Sequence, residues 1–132
     1  MGTNQYRKFP PGTIMRLGNI LLVKVNQEQP PEIHLPPDPC VQINIGKIIT
    51  MPEIDDDLVT PVTTINLIFQ YLERTTLKFI EDGKPFFDLL TEQFYLRLDF
   101  QISHCQVCLQ LKTGKIVYFH TSRDILTVQL NL

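Results

Sequence analysis

The stretch LRLDFQISHCQVCLQL, residues 96–111, decides the fold. Apolar residues alternate with polar ones at even positions from Leu96 to Ile102, and then at odd positions from Cys105 to Leu111. A period of two is typical of a half-buried β-strand. One strand cannot keep both phases on one face, so we predict a bulge, bend or break at Ser103-His104. The stretch therefore predicts part of an antiparallel meander.

The same period recurs on both sides of this stretch. Gly114 fits the left-handed position of a three-residue hairpin loop, which would pair Leu109 with Val117. Further strands are predicted over residues 20–25, 41–50 and 125–132, and Gly46 marks a bulge or bend in the second of these. Most of the predicted strands carry apolar side chains on one side only.

The middle of the chain has a different spacing, with apolar residues three and four positions apart. This stripe predicts one long helix over about 61–82, with Thr60 as its N-cap and Pro61 as its first residue. Asp82-Gly83 would end it. A short second helix is predicted over about 85–94.

The fold class follows from combining these elements. We predict an α+β domain with an antiparallel sheet of about five or six strands and the helices packed on one face. The alternative is an all-β sandwich or barrel with a covering helix. Composition favours strands, because the chain has no Ala and is rich in Ile and Thr.

The 132 residues are predicted to form a single domain, 1–132. Within it, residues 1–13 read as a flexible basic arm and residues 26–39 as a proline-rich loop. Charge is uneven, with +4 over residues 1–27 and −6 over residues 28–57. The basic arm and the acidic middle could pair within one molecule or between two.

Cys105 and Cys108, preceded by His104, have the outward look of a thiol or zinc motif. A strand context points residues three apart to opposite faces, and a zinc site of this kind needs a second ligand pair. We therefore expect no bound metal, no cofactor and no catalytic residue. Because three cysteines is an odd number, we expect reduced thiols and a cytoplasmic location.

Two alternatives to a non-catalytic protein stay open. The first is an enzyme or small-ligand pocket around Cys108, Tyr118 and His120, which the predicted hairpin places on one face. The other is a nucleic-acid accessory protein whose basic residues contact phosphates. Those residues are Arg7, Lys8, Arg16 and Lys24. With a net charge of −2, we do not expect nucleic acid to be the main partner.

The final predicted strand, residues 125–132, has no charge, no Pro and no Gly. Exposed edge strands are usually protected by such residues, so this strand should lie inside the sheet or pair with another chain. The interaction candidates are Leu126, Val128, Leu130, Leu132, Arg7, Lys8, Pro36 and Pro37. We expect a small binding or assembly protein that contacts another protein or itself as a homo-oligomer, without a membrane span.

Overall fold

The computed structural model describes residues 8–29, 32–51, 59–62 and 68–131, with backbone alone for 68–71, 130 and 131. Within these ranges the chain forms strands and one 3-10 turn, Leu77–Phe79. The strands are β1 (Ile14–Leu17), β2 (Ile20–Lys24), β3 (Pro39–Gln42), β4 (Ile48–Thr50), β5 (Val59–Val62), β6 (Ile68–Thr76), β7 (Pro85–Asp88), β8 (Gln93–Ile102), β9 (Cys105–Gln110), β10 (Ile116–Phe119) and β11 (Asp124–Asn131). None of the described residues forms a helix that could span a membrane.

The strands form two antiparallel sheets. The first sheet has the order β4-β3-β2-β1-β5, and the second has the order β10-β9-β8-β7-β11-β6. Their inner faces share one core, in which Val23 and Val41 of the first sheet and Leu96, Val107 and Leu109 of the second are completely buried. Since both sheets contribute to this core, the described architecture is a β-sandwich.

The outer face of the second sheet is also buried. The segment around the 3-10 turn packs on it, because Leu77 N–H donates to Arg123 C=O at 3.0 Å and Lys78 N–H donates to Thr121 C=O at 2.9 Å. Beneath this segment the Tyr95 and Phe119 rings meet edge to face with centroids 4.9 Å apart. Strands β7 to β9 are therefore covered on both faces. Their side chains do not follow the simple alternation of buried apolar and exposed polar residues that is typical of a half-buried strand.

The α+β prediction is wrong, and so are both helices. Of residues 61–82, 63–67 lie outside the described residues, and the rest hold the end of β5, all of β6 and the 3-10 turn. Residues 85–94 hold β7 and the start of β8. β6 is rich in β-branched and aromatic residues, and its pairing with β11 overrides the three- and four-residue spacing. The all-β alternative agrees with the described residues, although no covering α-helix occurs among them.

The break predicted at Ser103-His104 is confirmed. Both residues have positive φ, 51° and 63°, and they form a two-residue turn between Ile102 and Cys105. Gly114 also has a positive φ, 70°, as expected.

The pairing predicted for the next hairpin is wrong by one residue. Leu109 pairs with Ile116 instead of Val117, and Val117 pairs with Cys108. This shift reverses the direction of every β10 side chain, so Tyr118 lies on the inner face and Val117 on the outer face.

Candidate functional site

β11 lies inside the second sheet for only part of its length. β6 pairs with it from Asp124 to Asn131, but β7 pairs with Ile125–Thr127 alone. Beyond Thr127, no strand of the described residues lies along the second edge of β11. Residues 128–131 therefore form an open edge, which is the name used for them below.

Pro85 ends the pairing between β7 and β11. Leu89 N–H donates to Asp124 C=O at 3.4 Å. Because backbone groups alternate along a strand, the N–H and C=O groups of the even-numbered β11 residues point toward β7. Val128 is next in register opposite Pro85, and proline has no N–H to donate to the Val128 carbonyl. Two positions further, the N–H and C=O of Leu130 face the same side without a β7 residue opposite them.

The open edge borders a cleft of about 620 Å³ between the two sheets. On the second sheet the cleft is lined by Leu72, Pro85 and Val128. On the first sheet it is lined by the β1–β2 turn and by residues 42–45. Leu72 and Ile45 are 58% and 49% exposed, so large aliphatic side chains face solvent on both sides of the cleft.

Polar groups around the cleft are mostly uncharged. Side-chain amides of Asn19, Gln42, Asn44 and Gln129 line it, and Lys84 is the single charged residue among the described lining residues. Lys84 Nζ donates to Asn44 Oδ1 at 3.1 Å. The described lining residues carry no carboxylate, imidazole, thiol or hydroxyl side chain.

The wall of the cleft formed by residues 42–45 is held by backbone contacts. Asn44 N–H donates to Gly83 C=O at 2.8 Å, and Gly83 N–H donates to Arg97 C=O at 2.6 Å. Gly83 has a φ of +79°, and a Cβ there would overlap the backbone of Asn44 and Ile45. The absence of a side chain at Gly83 thus allows the two backbones to meet, and it fixes this wall before any ligand binds.

The structure separates the interaction candidates of the last strand. Val128 lines the cleft, and Leu126 lies half-buried on the same face of β11, paired with Phe87. Leu130 contributes its backbone to the open edge. Leu132 lies outside the described residues.

The other interaction candidates are not part of the cleft lining. Lys8 and Pro37 are exposed and Pro36 is half-buried, while Arg7 lies outside the described residues. In the proline-rich loop, Glu32 Oε1 accepts a hydrogen bond from Tyr118 Oη at 3.0 Å.

Of the remaining basic residues, Arg16 is exposed and Lys24 is half-buried. Lys24 Nζ donates to Phe9 C=O at 2.7 Å, and burial lowers the pKa of Lys24 although Asp38 opposes that change. Lys24 is thus engaged within the fold.

Cys108, Tyr118 and His120 do not come together. Cys108 is completely buried under the outer face of the second sheet, and burial raises the pKa of its thiol far above its ordinary value. Tyr118 lies on the opposite face, and its pKa is raised by burial and by the hydrogen bond to Glu32. His120 is exposed, and its Nδ1 accepts hydrogen bonds from Ser122. The geometry contains no nucleophile–base pair within this set.

Within the ranges that the structure describes, no three His, Cys, Asp or Glu side chains converge where a metal ion could bind. Cys105 and Cys108 are both free thiols.

Sequence reasoning missed Leu72, Lys84 and Ile45 as cleft residues. Pro85 was the available signal, because a proline at the start of a strand marks where ladder pairing stops. The helix predicted over about 85–94 begins at the same residue, and it is wrong because Pro85 begins β7.

No known protein-family model matches the chain, no curated protein is similar to it in sequence, and no solved structure matches its fold. Function is therefore inferred from the cleft itself.

Proposed function

We propose that this protein is a small non-catalytic binding or assembly protein that captures an extended segment of another protein in the cleft beside β11. The observation that carries this proposal is the open edge at residues 128–131, which borders an aliphatic cleft. The unpaired backbone N–H and C=O groups of a sheet edge form a template on which another chain can pair. An added strand pairs with these groups in register, and this is a recurring mode of peptide recognition.

The cleft suits a short peptide better than other ligand classes. Because Pro85 lies opposite Val128, a bound strand can pair with residues 129–131, a length of about 10 Å that suits a short peptide. A cleft of about 620 Å³ is within the usual range for ligand sites. A nucleic acid would require several cations, whereas the described lining offers Lys84 alone.

A strand with a free second edge fits better than β11 of a second copy. β11 carries β6 along one edge, so a second copy would bring two strands into the cleft. This favours one extended chain as the occupant.

We propose homo-oligomerisation as a second property, through the outer edge of β6. β6 is the last strand of the second sheet among the described residues, and the outer edge of such a strand can pair with the same edge of a second copy. Arg74 pairs with Leu126, whose N–H and C=O face β7, so the N–H of Arg74 faces the outer edge of β6. Sedimentation equilibrium tests this proposal: a dimer that Arg74→Pro converts to a folded monomer supports it, and a monomer at all concentrations contradicts it.

We also propose that the protein works in a reducing compartment such as the cytoplasm. Its three thiols are free, and Cys40 and Cys108 are buried in different sheets. Neither could form a disulfide without partial unfolding.

The test of the binding function is selection of random octapeptides displayed on phage, using Val128→Lys as the cleft variant. Lysine at position 128 introduces a charge into the lining and should abolish enrichment, because an apolar contact is replaced by an ammonium group. Leu90→Lys is the matched control, since Leu90 is 76% exposed and lies outside the cleft lining.

Enrichment on the wild type and on Leu90→Lys, but not on Val128→Lys, is the expected result. Failure to enrich any peptide, or equal enrichment on all three proteins, contradicts the proposal. Circular dichroism confirms that each variant is folded.

A further inference from the structure

The open edge has a direction, because β7 occupies the same line beside β11. β7 is antiparallel to β11, and Pro85 stands opposite Val128 at one end of the open edge. A strand bound antiparallel to β11 beyond Pro85, beside residues 129–131, therefore runs in the same direction as β7. Its carboxyl end arrives at Pro85.

The same end of the cleft is closed to a continuing chain. Lys84 and Pro85 occupy the line of β7, and Lys84 C=O accepts a hydrogen bond from Arg97 N–H at 3.1 Å. A bound antiparallel strand has to turn away at this point or to end there.

Charge favours a segment that ends at this point. Lys84 is the cation at the closed end, and its ammonium group donates a hydrogen bond to a neutral amide, Asn44 Oδ1. An ammonium group has three N–H donors, so two can serve a ligand. The nearby Asp82 carboxylate accepts a hydrogen bond from Arg97 Nε at 3.1 Å. A ligand carboxylate would be attracted to Lys84, whereas the amino terminus of a parallel strand would be repelled.

Resting on the proposed function, we infer that the cleft binds the carboxy-terminal end of a partner protein, antiparallel to β11, with the free α-carboxylate at Lys84. Alternate side chains of the bound segment point toward Leu72 and Val128, so aliphatic residues are expected at every second position. The α-carboxylate and the strand hydrogen bonds together define the site.

The experiment compares two phage libraries, one with random octapeptides at a free carboxyl terminus and one with the same peptides at a free amino terminus. The best peptide is then synthesised as the acid and as the amide, and its Kd is measured by fluorescence polarisation. We expect enrichment from the free-carboxyl library and about tenfold weaker binding of the amide, since a charge-assisted hydrogen bond is lost.

Variants of Lys84 assign the effect to one residue. Lys84→Gln should weaken binding of the acid about tenfold and leave the amide unchanged, while Lys84→Arg should retain binding of the acid. Lys115→Gln is the matched control, because Lys115 is exposed and lies outside the cleft lining.

Each remaining outcome has a defined meaning. The carboxy-terminal inference is overturned if the acid and amide peptides have the same Kd, or if Lys84→Gln leaves the Kd of the acid peptide unchanged. Either result leaves peptide capture itself intact. If neither library yields a peptide that binds the wild type and fails to bind Val128→Lys, the proposed function and the inference both fail.

Discussion

Arg123 holds the buried carboxylate of Asp88 with two parallel hydrogen bonds, Nε to Oδ1 at 2.7 Å and Nη2 to Oδ2 at 2.9 Å. Asp88 is 0% exposed, and Thr91 donates to the same carboxylate from its N–H and its hydroxyl. The pair joins the end of β7 to the turn before β11. It therefore fixes the point at which β11 enters the sheet.

Removing the Arg123 cation from this buried pair should lower stability more than removing the cation of an exposed ion pair. We expect Arg123→Met to lower the free energy of unfolding by about 3 kcal/mol, because it leaves a buried charge without its partner. Arg74→Met is the control: Arg74 Nη2 and Asp124 Oδ2 are 3.5 Å apart, with side chains 69% and 61% exposed. Its loss should be below about 0.5 kcal/mol in urea unfolding. Equal losses for the two variants would contradict the assignment.

Asp88 should make stability depend on pH at the acid end. Burial alone would raise the pKa of Asp88, but its hydrogen bonds with Arg123 and Thr91 bring it below the ordinary value. A carboxyl group with a lowered folded-state pKa contributes stability above its unfolded pKa of about 3.9, and that contribution is lost as pH falls through the folded-state pKa. The urea concentration at the unfolding midpoint should therefore decrease as the pH is lowered below about 4. In Asp88→Asn this decrease should be smaller, because the titrating carboxyl group is absent. An unchanged slope in the variant would refute the prediction.

The three thiols should differ in reactivity. Burial raises the pKa of Cys40 to about 12 and that of Cys108 still further, so neither forms thiolate at pH 8. Cys105 is half-buried and is the accessible thiol. We expect Ellman's reagent to titrate Cys105 rapidly in the native protein, and all three thiols after denaturation. Rapid reaction of Cys108 in the native state would show that its covering segment opens.

Gly83 should tolerate a side chain far less than Gly18. Gly83→Ala should lower the free energy of unfolding by more than about 2 kcal/mol, because the new Cβ overlaps the backbone of Asn44 and Ile45. Gly18 also has a positive φ, +60°, but open space surrounds its Cβ position. Gly18→Ala should therefore cost only about 1 kcal/mol of backbone strain in the same urea experiment. Similar losses would argue against close backbone packing behind the cleft.

Neighbouring amides of the open edge should exchange hydrogen at different rates. The even–odd alternation directs Gln129 N–H toward β6 and Leu130 N–H into the cleft. We expect Gln129 to be protected and Leu130 to exchange rapidly in native-state NMR, and a bound peptide should slow Leu130. Equal protection in the free protein would mean that the edge is already paired.

Strands around residues 96–111 could be predicted because their alternation is regular and one turn separates its two phases. The register of β9 and β10 could not, since both faces of the second sheet are buried. Where Val117 finds an apolar environment on either face, a one-residue shift costs little and the hydrophobic pattern does not specify it.

The middle of the chain was misread for a related reason. The pairing of β6 with β11 shifts register between Leu126 and Val128, so β6 contains an irregularity. An irregularity in a strand, followed by a 3-10 turn, shifts the two-residue alternation of apolar side chains. Apolar residues then recur three and four positions apart, as they do in a helix. β1 was not predicted, and the predicted strand 41–50 is divided into β3 and β4 by a turn.

The cleft could be predicted only in part. The uncharged last strand indicated an interaction role for residues such as Val128, which remains a prediction. Leu72, Lys84 and Ile45 are far apart in the sequence and meet only through the pairing of strands, so no local pattern identifies them.

The position of β11 between β7 and β6 has a consequence for the order in which the chain assembles. β6 obtains its ladder from β11, although β7, β8, β9 and β10 all lie between them in the sequence. The hairpins β7–β8, β8–β9 and β9–β10 are local and can form early, whereas β6 has to wait for a partner that the ribosome delivers after all of them. Closure of the second sheet is thus expected to be the slow, late event of folding, and a chaperone bound to β6 would prolong the stage before it.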